Sequence, residues 1–573
     1  MPEKAWVHPG CGAVMHTGSN KGSVSGVVTY FKSMFSFDRA APFLALYAET
    51  HFRFFRFFPS YLFTRNPEII FDAPRRLDPG QDLPVILIVN DRHRFPVELS
   101  DCAIALSRPR CPARRFDFPD LGAFEVVHPL RSTLRAFVLP ISRSELSTGA
   151  VAITCTLSAR VGRRHEVVIN DNLRTTSKKP LTCFVADKRY PGSTRCSYGD
   201  LHLHSHYSQS HVEFGPPPGI IRRVVQASGL SFAAITDHSY DLACSMDNYL
   251  KPDPGHERWQ SFLAELAAFD AAPPFLIPGE EVSCLNGRNK VVHLCGLNLR
   301  DFLRGSLDGA RPGRRREAQP GLRETIGAIH DQGGLAVAAH PGVRPGFLQR
   351  LLLSRGEWSP PDLDQPLDAM QIVNNGFSPS FYRGHAMWLE MLRQGRRIPI
   401  VAGNDAHGDF NRFRSLVIPF LAISENFGRY MGFGRTGVYG DHPSRNAIIA
   451  GIKSGSCFVT TGPYAEIAFG AGQPENAASD VTSRSASEPV IRAISTSEFG
   501  PLRSITVYGF QRESGKETVV HSGNYAGLPS TWDVELPLTL PSAPLSYLRA
   551  EVVSAGAGTP EAKAYTSPLF LQT

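Results

Sequence analysis

Phe232-Ala233-Ala234-Ile235-Thr236-Asp237-His238 is a short apolar run that ends on two polar, metal-competent side chains. Before it, Gly219 to Ser228 has helical patterning stopped by Gly229. The pair reads as a helix followed by a buried strand. The same rhythm continues downstream. Arg258 to Asp270 predicts a helix and Phe275 to Ile277 a strand. Lys290 to Leu294 predicts a strand, Leu322 to Gln332 a helix, and Leu335 to Ala339 a strand. Ala369 to Val373 predicts a strand, Phe381 to Gln394 a helix and Ile398 to Ala402 a strand. Such alternation predicts a parallel α/β fold, most economically a closed barrel.

The flanks read differently. Residues 70–195 hold short β-type runs at Pro84–Val89, Phe124–Val127, Leu134–Leu139, Val151–Leu157 and Glu166–Ile169, separated by Pro, Gly, Asp and Asn. Residues 465–573 return to the same texture, at Ile491–Thr496, Ser504–Phe510, Thr518–Ser522, Trp532–Leu536 and Leu548–Val553. Both stretches predict β-sandwich-like domains around a central domain at 196–464. Residues 1–69 form an aromatic-rich N-terminal segment. Within it, residues 35–63 read first as a segment packed on its neighbour and second as an interfacial membrane contact, the first preferred because Pro59 cuts the segment short.

Composition sets outer limits. The chain has 573 residues, 60 Lys+Arg against 53 Asp+Glu, and a net charge of +7, too small over this length to argue for a nucleic-acid partner. Its 10 cysteines include no C-x-x-C pair, which reads as free thiols in a reducing, cytoplasmic compartment. No apolar stretch is long enough for a spanning helix.

Eleven of the 19 histidines fall between residues 202 and 407. Asp200-Leu201-His202-Leu203-His204 places two imidazoles on one face if it is a strand, because side chains alternate with period two. Asp237-His238, Gly279-Glu280-Glu281, His293, His340-Pro341-Gly342 and Asn404-Asp405-Ala406-His407 each lie at or near the end of a predicted strand. In a parallel fold those ends converge. Clustered imidazoles repel one another when protonated and are costly when buried unpaired. Divalent cations remove both problems.

This series resembles the PHP (polymerase and histidinol phosphatase) superfamily of metal-dependent hydrolases over roughly residues 198–462. Thr236–Leu242, Asn404–Asn411 and Ser454–Pro463 are similar to its CehA/McbA-like branch, which includes carbamate and aryl-ester hydrolases. The resemblance implies a distorted seven-stranded (β/α) PHP-type barrel, here with β-sandwich-like domains at both ends, and two or three divalent ions. It implies that His202, His204, Glu281 and Asp405 hold the first metal. Glu281 bridges to a second, completed by His293 and His340, and His238 and His407 hold a third. Where the family places a further ligand to this third ion, the chain has Gln209 and Ser210, so His211 and Glu213 are the nearby substitutes.

Mixed imidazole and carboxylate ligands suit Zn, Mn or Fe. Water activated by such ions serves hydrolysis, with Glu281, Asp405 and His407 as the catalytic set. Arg412, Arg414 and Arg435 are the candidate substrate cations, with Arg344 and Arg383 behind them, because guanidinium groups favour oxyanions. The sequence therefore predicts a phosphoesterase acting on a small-molecule or polymeric ester. The alternatives are a carboxyl-ester, carbamate or amide hydrolase, and a non-catalytic binding module.

Overall fold

The computed structural model describes residues 67–571, apart from 94, 131, 174, 209–214, 247, 306–318, 353, 375, 418–421, 443, 470–487, 527–530 and 557–559. Residues 35–63, together with His211 and Glu213, therefore lie outside the described residues. Among the described residues no helix is long and apolar enough to cross a membrane.

Residues 67–185 build two sheets, of four and six strands, that share one hydrophobic core. The strand Leu83–Asn90 shows why its sequence is apolar throughout. Val85, Leu87 and Val89 face this core, while Ile86 and Ile88 face the larger core of the rest of the chain. With a side-chain period of two, burial on both faces demands an uninterrupted apolar run. Arg76 ties this region to the remainder. Its buried guanidinium donates to Asp78, to Glu498 and to the Ser228 carbonyl, and lies 3.9 Å from the centre of the Tyr190 ring.

The predicted elements between 218 and 403 are present. The helix Pro218–Ala227 starts on proline and buries Ile220, Ile221, Val224 and Val225 along one face, each worth roughly 1.5–3 kcal/mol of transfer free energy. Gly229 follows at φ +82, a left-handed turn open to glycine at no steric cost. The strands run Phe232–His238, Phe275–Leu285, Val291–Leu297, Leu335–Ala338, Ala369–Asn374 and Ile400–Gly403.

Their assembly differs from the sequence expectation. The expected seven-stranded (β/α) barrel is not what forms; its strands belong to one open sheet of 14 strands. Two features break the α/β rhythm. Phe275–Leu285, Val291–Leu297 and Leu335–Ala338 pair antiparallel in succession, the first two joined by a tight turn with no helix between them. On the other side, Cys196–Leu203 pairs antiparallel with Arg435–Tyr439, which leads through Cys457–Thr460 and Ala562–Thr566 to Tyr547–Ser554. The C-terminal strands thus extend the central sheet. A separate three-stranded sheet is formed by Tyr464–Phe469, Pro489–Ile494 and Asp533–Pro537.

The sheet nevertheless curls. Leu203 and Ala406 form an isolated parallel bridge, Asp405 N–H donates to the His202 carbonyl at 2.8 Å, and His204 N–H donates to the Ala406 carbonyl at 2.9 Å. That contact brings the loop after Ile400–Gly403 against the end of Cys196–Leu203.

Candidate metal centre

The strand ends meet at this contact. His202 lies near the end of Cys196–Leu203, and His204 just follows it. His238 is the last residue of Phe232–His238 and is in direct register with Glu281 of Phe275–Leu285. His293 comes from the antiparallel Val291–Leu297, His340 follows Leu335–Ala338, and Asp405 and His407 follow Ile400–Gly403. His340 and Asp405 have φ of +33 and +51, backbone strain that the surrounding contacts hold in place.

Three groups of ligand atoms lie within 4.8 Å of one another: His202, His204, Glu281 and Asp405; Glu281, His293 and His340; and His204, His238 and His407. The two oxygens of Glu281 divide the site. Oε1 lies 2.5 Å from His293 Nδ1, 3.0 Å from His340 Nε2 and 3.6 Å from His202 Nε2. Oε2 lies 2.8 Å from His238 Nδ1 and 3.7 Å from His204 Nε2. Asp405 Oδ1 lies 3.2 Å from His204 Nε2 and 3.6 Å from His202 Nε2. The His204 and His407 rings stack at 3.9 Å.

Charge follows from this crowding. Burial alone would raise Glu281, but the imidazoles of His293, His202 and His238 outweigh it and hold the carboxyl well below its ordinary range. Asp405 is held down in the same way by His202 and His204 against the effect of burial. Burial, with His204 beside it, pushes His238 down to about 4 and His407 well below its ordinary value. His202 goes the other way: burial would lower it, but Cys295, Glu281 and Asp405 together hold it well above its ordinary value, so a cation would take the place of a proton there. Imidazoles facing ionised carboxylates are the donor set that a borderline divalent cation needs, so the residues present fit the ions.

The third group is less well provided. The Nδ1 of His204 lies 3.2 Å from Ser208 Oγ, which leaves Nε2 as its ligand atom. A carboxylate can bridge two cations, whereas one imidazole nitrogen serves one. His204 therefore cannot complete both groups to which it belongs.

A second layer aims the ligands. The buried Asp200 carboxylate accepts from the N–H groups of His202, Asn404 and Gly432 and from Asn404 Nδ2, and burial raises it to about 6. It thereby ties the His202 strand to the loop carrying Asp405. Asp237 accepts from Ser205 N–H, Ser205 Oγ and Ser208 N–H, shaping the turn after His204. Glu280, next to Glu281, accepts instead from the Leu303 N–H at 2.9 Å.

The arginines named from sequence are engaged elsewhere. Arg412 is fully buried, pairs with Glu425 at 2.9 Å and donates to the Lys179 carbonyl. Arg414 lies 3.7 Å from Asp72 and donates to the Phe71 carbonyl. Arg435 donates to the Gly432 and Phe433 carbonyls and stacks over Tyr190 at 4.3 Å. All three are corrected from substrate ligands to structural groups. Arg383 donates to the Gly342 carbonyl, and Arg344 lies 3.6 Å from Glu357.

Among the described residues, two cations that sequence reading missed stand beside the candidate ligands. Arg429 Nη2 lies 3.7 Å from Asp405 Oδ2, with its guanidinium 3.7 Å over the Phe413 ring. Arg355 Nη2 lies 3.0 Å from His293 Nδ1. Neither stands in a motif, and both reach the site through long-range packing. Gln371, also missed, had a signal: it is the one polar residue within the apolar run Ala369–Val373.

No protein-family model matches the chain, and no curated protein matches it. Among solved structures, the crystal structure of a β-glucuronidase from Parabacteroides merdae aligns over 87% of this chain and 63% of that chain, at 9% identity and a TM-score of 0.21. The chain spans under two thirds of that protein's length, and a similarity at that score defines neither fold nor function.

Proposed function

We propose that this protein is a metal-dependent hydrolase, with a phosphoester as the first substrate class. The supporting observation is Glu281, whose carboxylate belongs to two of the three groups of ligand atoms, that of His202, His204 and Asp405 and that of His293 and His340. The motif resemblance to the PHP superfamily supports the same chemistry; the proposal makes no use of a barrel. Two divalent ions, Zn, Mn or Fe, held by His202, His204, Glu281, Asp405, His293 and His340 would lower the pKa of water and draw charge from the ester oxygen. A cytoplasmic location, in keeping with the free cysteines, belongs to the same proposal.

Elemental analysis checks the metal content. Protein purified without chelators should carry at least two transition-metal ions per chain. Less than one per chain, with no uptake from added Mn or Zn, would remove the basis of the proposal.

The chain's own residues favour an anionic substrate at the open side of the site. The Asp405 and Arg429 side chains are each 22% exposed, and the His340 side chain is 16% exposed, whereas Glu281 is buried. Arg429 can therefore meet an incoming phosphoryl oxygen next to the ligands. Arg429→Ala should lower kcat/KM for phosphomonoesters at least about tenfold, roughly 1.4 kcal/mol, and weaken inhibition by inorganic phosphate. Neutral aryl esters should be affected far less.

One observation favours the second reading, a carboxyl-ester, carbamate or amide hydrolase. Val343, Phe347 and Leu351, which follow His340 in the chain, are exposed apolar side chains. An active enzyme indifferent to both Arg429→Ala and phosphate would select that reading.

A further inference from the structure

We infer that Gln371 is a positioning residue for the metal ligand His202, holding its Nδ1 proton so that the Nε2 lone pair faces the other ligands. The inference rests on the metal-centre reading above and adds to it a residue that the ligand motifs do not contain.

Gln371 lies in Ala369–Asn374 and is 2% exposed, among Ala369, Met370, Ile372 and Val373, all of them buried. An amide in such a strand is costly unless its polar atoms are paired, and Gln371 is paired through its oxygen alone, since its buried Nε2 has no hydrogen-bond partner among the described residues. Its Oε1 lies 2.9 Å from His202 Nδ1. An amide oxygen only accepts, and a neutral imidazole has one N–H and one lone pair. With the proton held at Nδ1, the lone pair stands at Nε2. That nitrogen is the one that lies 3.3 Å from His204 Nε2 and 3.6 Å from both Glu281 Oε1 and Asp405 Oδ1. The opposite tautomer would aim a proton at the space the cation needs.

The other group near Nδ1 is Cys295 Sγ at 3.6 Å. A thiol is a weak acceptor, and Gln371 makes the shorter contact. The choice of an amide also has a chemical consequence. A carboxylate here would make the imidazole a stronger donor and leave the cation a weaker Lewis acid. The amide sets the orientation without adding charge.

The test is metal affinity of the full-length chain, measured by competition for Zn(II) with a chromophoric chelator. Gln371→Leu removes the acceptor and suits an apolar strand. It should weaken Zn(II) binding about 10- to 100-fold while the metal-free protein keeps its unfolding temperature. Gln371→Glu restores an acceptor and should bind at least as tightly as wild type. Imidazole 15N spectra of the zinc-loaded protein should show His202 bound through Nε2 with a hydrogen-bonded proton at Nδ1 in wild type, and lose that hydrogen-bonded Nδ1–H signal in Gln371→Leu. If the leucine variant does not fold, Gln371→Met, of similar length, takes its place with the same expected loss. Affinity within about threefold of wild type in the folded variant overturns the role of Gln371 and leaves the metal centre standing. So does a glutamate variant as weak as the leucine one. A wild-type protein that takes up no Zn(II) overturns the metal centre, and this inference with it.

Discussion

Glu281→Gln should abolish turnover and strip the protein of tightly bound metal while the chain stays folded. The Glu281 side chain is 1% exposed and meets five imidazoles, those of His202, His204, His238, His293 and His340. The amide has nearly the same shape. It is neutral, however, and one of its two ends carries protons where the carboxylate offered lone pairs. Two cations brought close together would lose the charge that screens their repulsion, so both ligand groups fail at once. A loss of at least about 100-fold in kcat is expected, roughly 2.7 kcal/mol. Retention of more than a tenth of wild-type turnover, a loss below about 1.4 kcal/mol, would refute the bridging role. Glu280→Gln is the control. Adjacent residues of a strand face opposite sides, and Glu280 accepts from the Leu303 N–H rather than facing the imidazoles. Its effect should be far milder.

Gly403→Ala should damage the site while leaving every ligand atom in the chain. An added Cβ would stand 2.5 Å from His202 Cβ and 2.8 Å from the His202 backbone nitrogen. Neither atom can yield without moving the strand that carries His202 and leads into His204. The same Cβ would come within 3.1 Å of Gln371 Nε2. Overpacking of this kind costs about 1–3 kcal/mol, and here the strain falls on the ligand-bearing backbone. The expected result is a lower unfolding temperature together with at least about tenfold weaker metal binding. Gly327→Ala is the comparison. Gly327 sits within the helix Leu322–Asp331 with nothing within 4 Å of its added Cβ, so alanine should be neutral or stabilising by about 0.5–1 kcal/mol. Equal metal affinity in wild type and Gly403→Ala would show that the close approach of these two strands does not position His202.

Most of the candidate ligand set was legible because its members, His202, His204, His238, His340, Asp405 and His407, stand at or just past the end of a strand, and strand endings leave local marks in apolar runs and glycines. Phe232–His238 and Ile400–Gly403 were read within a few residues for that reason. Phe275–Leu285 was read short, and Glu281 proved to lie inside the strand, because its polar Glu280 and Glu281 conceal the continuation. Arg412, Arg414 and Arg435 follow motif residues closely in sequence, which suggested substrate contact. Their partners, Glu425, Asp72 and Tyr190, are set by packing and leave no trace in the local pattern.

By itself the sequence determined the chemistry on offer: imidazoles and carboxylates at strand ends, in types and spacings suited to divalent ions. It also determined most of the strands and helices that carry them, since periodicity and turn residues act over a few positions. Only the tertiary structure decided how the strands join. Whether Val291–Leu297 runs antiparallel to its neighbours, and whether Cys196–Leu203 leads outward through Arg435–Tyr439, depends on pairings between distant segments that no local pattern encodes. The same dependence on long-range contact decided that Arg429, Arg355 and Gln371 stand beside the ligands. A hydrogen bond or ion pair joins atoms close in space, and nothing requires those atoms to be close in the chain.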